Sequence, residues 1–401
     1  MKSVRLVQIF CPVKETNRTH SKSYVEDLST QRGRKRCAKM PVLNLSVLPI
    51  YEKGAADVHF IVVGPLYYGY SESIVRALEA EGHTVDFYAE RPFYTNCSYL
   101  TRRLYKWGVR SFQKKWERGW QRACIAFMRE HMRADSVLLC LTGGMISEDI
   151  LDVWQGHPTV LMMWDSVRRY DMDFQRRMRR YQHVFAFEYT DIAYAAQTFH
   201  IEMTYLPLGY NASVYHPKEV ERDIDVSFVG TPMPQRVEVL ERVAAYMSNT
   251  GGRMYVGGRW YDDRYPWKVR SYRRKHPHLF PVLTNQELSP EEVAQIYRRS
   301  KIVLNINNNV HRSVSPRTFE ILATQTFQLM NSGQQSNGTL DFDCDLVQYD
   351  DVDDLIRKID YYLQHEEERE QIAEHGAQTA SRFSMNELVK KLVENIAEEN
   401  S

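Results

Sequence analysis

Short apolar runs alternate with amphipathic segments along most of the chain, and this alternation predicts an α/β protein. Residues 58–64 (VHFIVVG) form a continuous apolar run, as expected for a buried parallel strand. Ser71 is placed to cap a helix that ends before Gly82, and residues 85–88 predict the next strand. Together these segments predict one complete β-α-β unit.

The same pattern recurs in both halves of the chain. Further strands are predicted at residues 137–141, 159–164, 184–187, 225–230, 254–257, 302–306, 327–330 and 346–349. Helices are predicted to start at or near residues 71, 147, 191, 235, 289 and 315, and a long helical region is predicted at 100–133. The last three helices are predicted at residues 352–365, 368–375 and 385–399. Two α/β halves in tandem predict two Rossmann-like, doubly wound domains that face each other across a cleft.

The domain boundaries follow from where this pattern starts, stops and restarts. Residues 1–54 have weak periodicity and an excess of Lys and Arg, which favours a peripheral extension; a membrane-surface or partner-binding arm is the alternative. The first domain is predicted at 55–206, a linker at 207–224 and the second domain at 225–384. A C-terminal helix at 385–401 could cross back to the first domain.

Composition narrows the class of protein. The 401 residues are 43% apolar and 26% charged, as in an ordinary globular protein, and the net charge of +1 gives no support to nucleic-acid binding. Six scattered cysteines without a C-x-x-C pair predict reduced thiols. No run approaches the length of a membrane span and no secretory signal is evident, so we expect a cytoplasmic location.

The strongest chemical signal is the entrance of the helix that follows residues 302–306. Ser315 is a good N-cap, and Pro316 suits the first helical position because its missing N–H has no partner to lose there. Arg317 together with the helix N-terminus suits a phosphate, and the Glu320 carboxylate suits the vicinal diol of a ribose. Together these groups predict a pocket for a nucleotide sugar, whose sugar would be transferred to an acceptor. An Arg317–Glu320 ion pair is the alternative.

Other candidates lie at the carboxyl ends of predicted strands, where open α/β sheets bind ligands. Gly230 and Arg236 could hold phosphates, although Arg236 could also be a surface arginine. Gly257 and Gly258 could approach the nucleotide base or form a plain turn. Asn305, Asn307, Asn308 and His311 precede the helix entrance, and one of them could contact the sugar or the diphosphate.

Residues of the first domain supply the remaining candidates. Asp165 ends a predicted strand, so it could act as the catalytic base or orient an acceptor; capping the next segment is the alternative. Gly64 and Gly69 flank a loop that could approach the sugar or the acceptor, or form a tight turn.

The helix entrance also carries a family resemblance. Residues 315–326 (SPRTFEILATQT) resemble the motif S-P-R-x-F-E-x-L-A-C-G-T of the CgeB-like, spore-maturation group of GT-B glycosyltransferases (group 1). Thr324 and Gln325 replace Cys-Gly, and Arg312 stands where many GT-B enzymes have a second Glu. Residues 164–166 (WDS), 206–210 (LPLGY) and 225–236 resemble further elements of this group in the same order.

The resemblance implies the GT-B fold and a nucleotide-sugar donor, UDP or GDP, with no cofactor and no metal. The donor would be bound by residues at strand ends and at the helix entrance: Gly230, Arg236, Gly257, Gly258, Asn307, Ser315, Pro316, Arg317, Thr318 and Glu320. Asp171-Met-Asp173 and Asp343-Cys-Asp345 fit a D-x-D metal pattern, but we interpret both as solvated acidic loops.

The function predicted is therefore glycosyl transfer to a glycan, lipid-linked or protein acceptor, in a bacterial enzyme that builds a polysaccharide or a related glycoconjugate. A sugar-nucleotide epimerase and a non-catalytic nucleotide-sugar-binding subunit are the alternatives. The basic and aromatic residues of segment 100–133 could contact an anionic membrane, or its aromatic side chains could pack inward.

Overall fold

The structure is a computed structural model that describes residues 58–66, 69–90, 103, 107, 110–308 and 310–398. The predicted basic extension at 1–54 lies outside these residues. Two parallel sheets, each of six strands, form the centre of the described chain. This arrangement confirms the prediction of two Rossmann-like α/β domains.

The first sheet has the strand order β2-β1-β3-β4-β5-β6, and every pair in it is parallel. Its strands are β1 (His59–Pro65), β2 (Thr84–Glu90), β3 (Ser136–Leu141), β4 (Thr159–Met163), β5 (His183–Ala186) and β6 (Thr204–Tyr205). The helices of this half are α1 (Tyr70–Ala80), α2 (Arg110–His131), α3 (Glu148–Val153), α4 (Met172–Met178) and α5 (Tyr189–Phe199).

The second sheet has the order β12-β11-β10-β7-β8-β9 and is also parallel. Its strands are β7 (Ile224–Val229), β8 (Met254–Gly258), β9 (Leu283–Asn285), β10 (Ser300–Asn305), β11 (Phe327–Asn331) and β12 (Val347–Tyr349). Its helices are α6 (Pro234–Thr250), α7 (Pro266–Lys275), α8 (Leu279–Val282), α9 (Pro290–Arg299), α10 (Pro316–Ala323), α11 (Val352–Gln364), α12 (Glu366–Ala380) and α13 (Met385–Glu398). The order reverses between β7 and β10, which makes their carboxyl ends the switch point where such sheets bind ligands.

Two local expectations differ from the structure. Ser71 does not cap α1, because the N-cap is Gly69 in a left-handed conformation, and the Ser71 hydroxyl donates to the Pro65 carbonyl at 2.7 Å. Helix α7 was not predicted, since it lies on the surface with no buried residue and so lacks an apolar stripe.

The described part of segment 100–133 contains both exposed and buried aromatic residues. Trp107 is 63% exposed and the Arg103 guanidinium lies 4.4 Å from its ring centroid, whereas α2 packs inward. In α2, Trp120, Cys124 and Met128 are buried, and the Trp120 indole donates to the Ala89 carbonyl at 3.2 Å. Among the residues that the structure describes, no helix combines the length and apolarity needed to cross a membrane.

The C-terminal helix α13 packs against α1 of the first half, and both contribute to one apolar cluster. The segment 206–210 enters this cluster at Gly209. A Cβ atom placed there would lie 2.5 Å from Leu388 Cδ1 and 2.8 Å from the Phe383 carbonyl oxygen. Only glycine fits at this crossing, because one of the two neighbours is backbone.

We predict that Gly209→Ala lowers the free energy of unfolding by about 1–3 kcal/mol, as overpacking of a filled core does. Urea denaturation of the full chain measures this change. Gly119→Ala is the matched control, because Gly119 lies within α2 and a Cβ atom placed there would have no neighbouring atom within 4 Å. There the added methyl should stabilise the protein by about 0.5–1 kcal/mol. Equal effects at the two sites would contradict the packing described here.

Candidate active site

A loop that joins β10 to α10 attaches the second domain to the first. Glu188, which follows β5 and is only 2% exposed, accepts hydrogen bonds at Oε2 from the backbone N–H groups of Arg312 (2.8 Å) and Ser313 (3.2 Å). The backbone N–H of Tyr189 in turn donates to Ser313 Oγ at 2.9 Å. The helix entrance at residues 315–320 is therefore held next to the carboxyl ends of the first sheet.

His311 of the same loop lies between two carboxylates of the first domain. Its Nε2 is 3.2 Å from Asp165 Oδ1, and its Nδ1 is 3.8 Å from Glu188 Oε2. Asp165 also accepts from the backbone N–H of Ser166 and forms an ion pair with Arg169 at 2.7 Å. The three groups form a bridge between the domains.

The Asp165 carboxylate is engaged by three protein groups, from Ser166, Arg169 and His311. Burial alone would raise the pKa of Asp165, but the hydrogen bond with His311 and the charge of Arg169 hold this pKa below its ordinary value. A carboxylate with a lowered pKa accepts a proton poorly, so the contacts favour an orienting role for Asp165. Its catalytic role stays a prediction.

Glu320 faces the first domain from the first turns of α10. It is 8% exposed, and its Oε1 accepts a hydrogen bond from the Tyr70 hydroxyl at 2.8 Å. Burial raises the pKa of Glu320, while the Tyr70 hydrogen bond and the charge of Arg317 oppose that rise. Tyr70 lies at the start of α1 and its ring meets Trp164 edge-on at 5.9 Å between ring centroids.

Arg236 lies at the switch point of the second sheet and is 6% exposed. Its Nε donates to the Ile306 carbonyl at 2.8 Å, and its Nη1 donates to the Thr231 carbonyl at 3.1 Å. Burial and then the neighbouring charge of Arg317 lower the pKa of Arg236 to about 10. The alternative of a surface arginine is therefore wrong, because the guanidinium is buried against the carboxyl ends of β7 and β10. Its predicted role in phosphate binding stays a prediction.

Hydroxyl and amide groups lie near Arg236 and Arg317. The Tyr349 hydroxyl is buried near Arg236 and has no hydrogen-bond partner within the described chain. Asn307 Nδ2 is also buried and has no hydrogen-bond partner within the described chain. Asn307 Oδ1 accepts a hydrogen bond from Ser315 Oγ at 3.2 Å. Two cations, one unpartnered hydroxyl and one unpartnered amide therefore lie around the switch point.

Two residues of the predicted helix entrance behave differently from expectation. Ser315 is the N-cap residue, but its side chain makes no capping hydrogen bond and is bound to Asn307 instead. Pro316 occupies the first turn, as predicted. Thr318 is fully buried, and its Oγ1 accepts from Asn305 Nδ2 at 3.1 Å, so its side chain does not line the cleft.

Three of the candidate glycines, Gly64, Gly257 and Gly258, are packed against other protein atoms, whereas Gly69 is not. A Cβ atom at Gly258 would lie 2.2 Å from the Gly230 carbonyl oxygen, and one at Gly257 would lie 2.7 Å from Leu288. A Cβ atom at Gly64 would meet Leu141 at 2.8 Å. These glycines allow protein segments to approach each other, which favours the plain-turn interpretation. Gly69 has φ +70° and no atom within 4 Å of its Cβ position, so it faces open space.

The two D-x-D sequences are engaged in local structure. Asp171 caps α4 by accepting from the Phe174 N–H at 2.8 Å. Asp345 is buried and lies 2.7 Å from His375 Nδ1, so the interpretation as a solvated loop is wrong for Asp345. Among the described residues no group of three or more His, Cys, Asp or Glu side chains is arranged to hold a metal ion.

Comparison with known proteins supports the predicted family. The model of a family described as "Glycosyl transferase-like" matches residues 236–394, a region that includes the helix entrance and its S-P-R-x-F-E motif. The spore protein CgeB of Bacillus subtilis is 24% identical over 270 residues, covering 63% of this chain and 80% of that protein.

Residues 236–394 therefore form a glycosyl transferase-like domain. This match and the similarity to CgeB support the predicted CgeB-like GT-B family and the predicted class of enzyme.

Solved structures support the GT-B fold of the chain. A glycosyltransferase from Rickettsia africae has a TM-score of 0.60 at 12% identity, covering 86% of this chain and 98% of its own. HepE of Anabaena, crystallised with UDP and glucose, has a TM-score of 0.56 at 10% identity, covering 85% of this chain and 100% of its own. At these identities the likeness concerns the GT-B fold.

Two of the three departures from the family pattern, Thr324 and Gln325, lie at the opposite end of α10 from the cleft. The third, Arg312, lies in the loop before α10, where its backbone N–H donates to Glu188. Gln325 has φ +55°, a left-handed conformation that glycine adopts more easily and that explains the Gly of the motif. Its carbonyl accepts from Arg222 Nη2 at 2.7 Å. Thr324 is buried and bonded to the Ile321 carbonyl at 2.7 Å. These substitutions therefore change the end of the helix and leave its entrance intact.

Three residues at this site were not predicted: Tyr70, Glu188 and Tyr349. No local pattern distinguishes them, since each acquires its role from contacts with distant segments. For Tyr70 and Glu188 the partners are 250 and 124 residues away in the chain.

We predict that Tyr70→Phe lowers stability increasingly as pH rises. The pKa of Glu320 is raised in the folded state, so ionisation of this carboxyl group opposes folding. The resulting destabilisation is complete above the folded-state pKa and absent below the unfolded-state pKa. Removing the Tyr70 donor leaves this charge less compensated, at a cost of about 1–3 kcal/mol at pH 8 and much less at pH 4. Urea denaturation across this range measures the difference.

The same substitution in a Glu320→Gln background is the control, because the titrating group is then absent. In that background the effect of Tyr70→Phe should not depend on pH. A pH-independent effect in the native background would show that the Tyr70–Glu320 hydrogen bond does not respond to ionisation of the carboxyl group.

Proposed function

We propose that this CgeB-like glycosyltransferase transfers a sugar from a nucleoside diphosphate sugar to a hydroxyl acceptor, without a protein-bound metal. In this proposal the pyrophosphate lies at the switch point of the second sheet, and the ribose lies against Glu320. The leaving nucleoside diphosphate gains negative charge as the glycosidic bond breaks, so its stabilisation is the main requirement of the reaction.

The observation that carries the proposal is the pair of arginines at the carboxyl ends of β7 and β10. The hydrogen bonds of Arg236 go to neutral oxygen atoms of Ile306 and Thr231, and its pKa is lowered by burial and by Arg317. Arg317 has the Glu320 carboxylate nearby, so the two neighbouring arginines share a single carboxylate and carry a net positive charge. Such a charge is costly to bury unless an anion is bound. A diphosphate supplies the missing charge, and bidentate contacts suit guanidinium groups.

Glu320 suits the ribose because a carboxylate accepts several hydrogen bonds and only one donor, Tyr70, is bonded to its Oε1. Tyr70 belongs to the first domain, so ribose binding would be coupled to the contact between the domains. HepE, crystallised with UDP and glucose, is consistent with a nucleotide in a cleft of this fold.

The bridge of His311, Asp165 and Glu188 lies on the first-domain side of α10. An acid and histidine cluster near the sugar would also suit an epimerase. Here, however, Glu188 accepts from two backbone N–H groups of the loop and Asp165 pairs with Arg169, which favours a positioning role. In the proposed reaction Asp165 and His311 orient the acceptor hydroxyl towards the anomeric carbon.

We predict that Arg317→Gln weakens binding of both UDP (or GDP) and inorganic pyrophosphate by about 10- to 100-fold, since it removes charge-assisted hydrogen bonds. Glu320→Gln should weaken binding of the nucleoside diphosphate and leave binding of pyrophosphate unaffected. Isothermal titration calorimetry on the full chain separates the two contributions. Arg236→Lys keeps the buried charge and should retain more affinity than Arg236→Gln.

Arg357→Gln is the matched control, because Arg357 is an exposed arginine of α11 paired with Asp354. The Arg357→Gln variant should bind the nucleoside diphosphate and pyrophosphate with the same affinities as the native protein. The proposal fails if neither nucleotide binds, or if Arg317→Gln and the control bind pyrophosphate equally. Release of the nucleotide from a nucleotide sugar only when an acceptor is added would support transfer; conversion of the sugar without an acceptor would support epimerisation.

A further inference from the structure

We propose that helix α7 and the residue before it form a docking surface for an anionic membrane. We define this surface as the exposed face made by Tyr265, Trp267, Lys268, Arg270, Arg274 and Lys275. The surface belongs to the second domain and is separate from segment 100–133, whose described aromatic residues include the buried Trp120.

The first observation is the charge of α7. Its sequence, PWKVRSYRRK, contains five basic residues and no acidic residue, although the whole chain has a net charge of only +1. Within the described chain no carboxylate lies within ion-pair distance of these five residues, whereas the nearby Asp262 and Asp263 are paired with Arg264 and Arg259. Lys268 is close enough to Asp262 to help Arg264 lower the pKa of that carboxyl group, but none of the five basic residues forms an ion pair with a described residue. The helix therefore presents net positive charge, which is complementary to an anionic surface.

The second observation is the position of the aromatic side chains. Trp267 is 66% exposed and Tyr265 is 37% exposed, and Lys268 Nζ lies 4.5 Å from the centroid of the Tyr265 ring. Exposed Trp and Tyr beside Lys and Arg are typical of segments that lie at the headgroup level of a bilayer. A nucleic-acid surface would explain the charge, but no nucleic-acid-binding motif accompanies the helix.

The third observation is that α7 has one attached face and one free face. Tyr272 packs on Tyr261 with 5.1 Å between ring centroids, and on His276 with 4.6 Å. Trp267, Arg270 and Arg274 are spaced i, i+3 and i+7, so they share the opposite face. The helix can therefore present its aromatic and basic side chains to a flat surface without losing its contacts with the protein.

The chain order places this surface beside the cleft. Helix α7 follows β8, and the loop between them starts at the carboxyl end of the sheet, where Gly257 and Gly258 lie. Trp267 is in the first turn of α7, so it lies towards that same edge. Docking would bring the cleft near acceptors carried by the membrane; this consequence rests on the proposed transfer, whereas the docking itself does not.

Sedimentation of the full chain with vesicles tests the proposal. Binding is expected to phosphatidylcholine vesicles that contain phosphatidylglycerol, to weaken as salt is added, and to be much weaker without the anionic lipid. The double charge reversal Arg270→Glu with Arg274→Glu should lower the affinity by at least about fivefold for each residue. Trp267→Ala should also lower it, without a change in melting temperature.

The matched control is Arg176→Glu with Arg357→Glu, which changes the net charge equally on two exposed arginines of α4 and α11. This control should bind the vesicles far more tightly than the α7 double variant. The proposal is overturned if the native chain does not bind the anionic vesicles, or if the two double variants lose affinity equally. Binding of single-stranded RNA should be measured in parallel. If Arg270→Glu with Arg274→Glu abolishes RNA binding but leaves vesicle binding unchanged, the membrane proposal is also overturned. Pyrophosphate binding should be unchanged in every α7 variant, which separates this test from that of the proposed function.

Discussion

Glu188 is a buried carboxylate whose hydrogen bonds extend across the domain boundary. Each of its oxygens accepts from N–H groups: Oε1 from Thr190, and Oε2 from Arg312 and Ser313. A buried charge is tolerated only when its hydrogen-bonding capacity is used, so the carboxylate and the loop constrain each other. The position of α10, with Arg317 and Glu320 at its start, depends on this contact.

The two domains contribute different chemistry to the cleft. The second domain brings positive charge, from Arg236 and Arg317, to the ends of β7 and β10. The first domain brings Tyr70 to Glu320 and Asp165 to His311. Groups that would bind a nucleoside diphosphate are thus adjacent to groups that would orient an acceptor, and neither domain supplies both sets.

Much of the fold could be predicted because its signals are local. Apolar runs mark the buried strands, and Ser315-Pro316 marks the start of α10, since both depend on neighbours within a turn or a strand. Helix α7 was missed because its exposed residues show no apolar periodicity. Gly258 and Thr318 were assigned to the ligand because sequence position cannot distinguish a glycine or threonine that lines a cleft from one that packs against protein.

The sequence by itself determined the α/β class, the two-domain organisation, the family resemblance and the helix entrance. These properties depend on periodicity, capping residues and a motif of consecutive positions. Only the tertiary structure decided that Arg236 is buried, that Tyr70 binds Glu320 and that His311 lies between Asp165 and Glu188. Those contacts join segments up to 250 residues apart, and they form only after both sheets have assembled and their carboxyl ends have met.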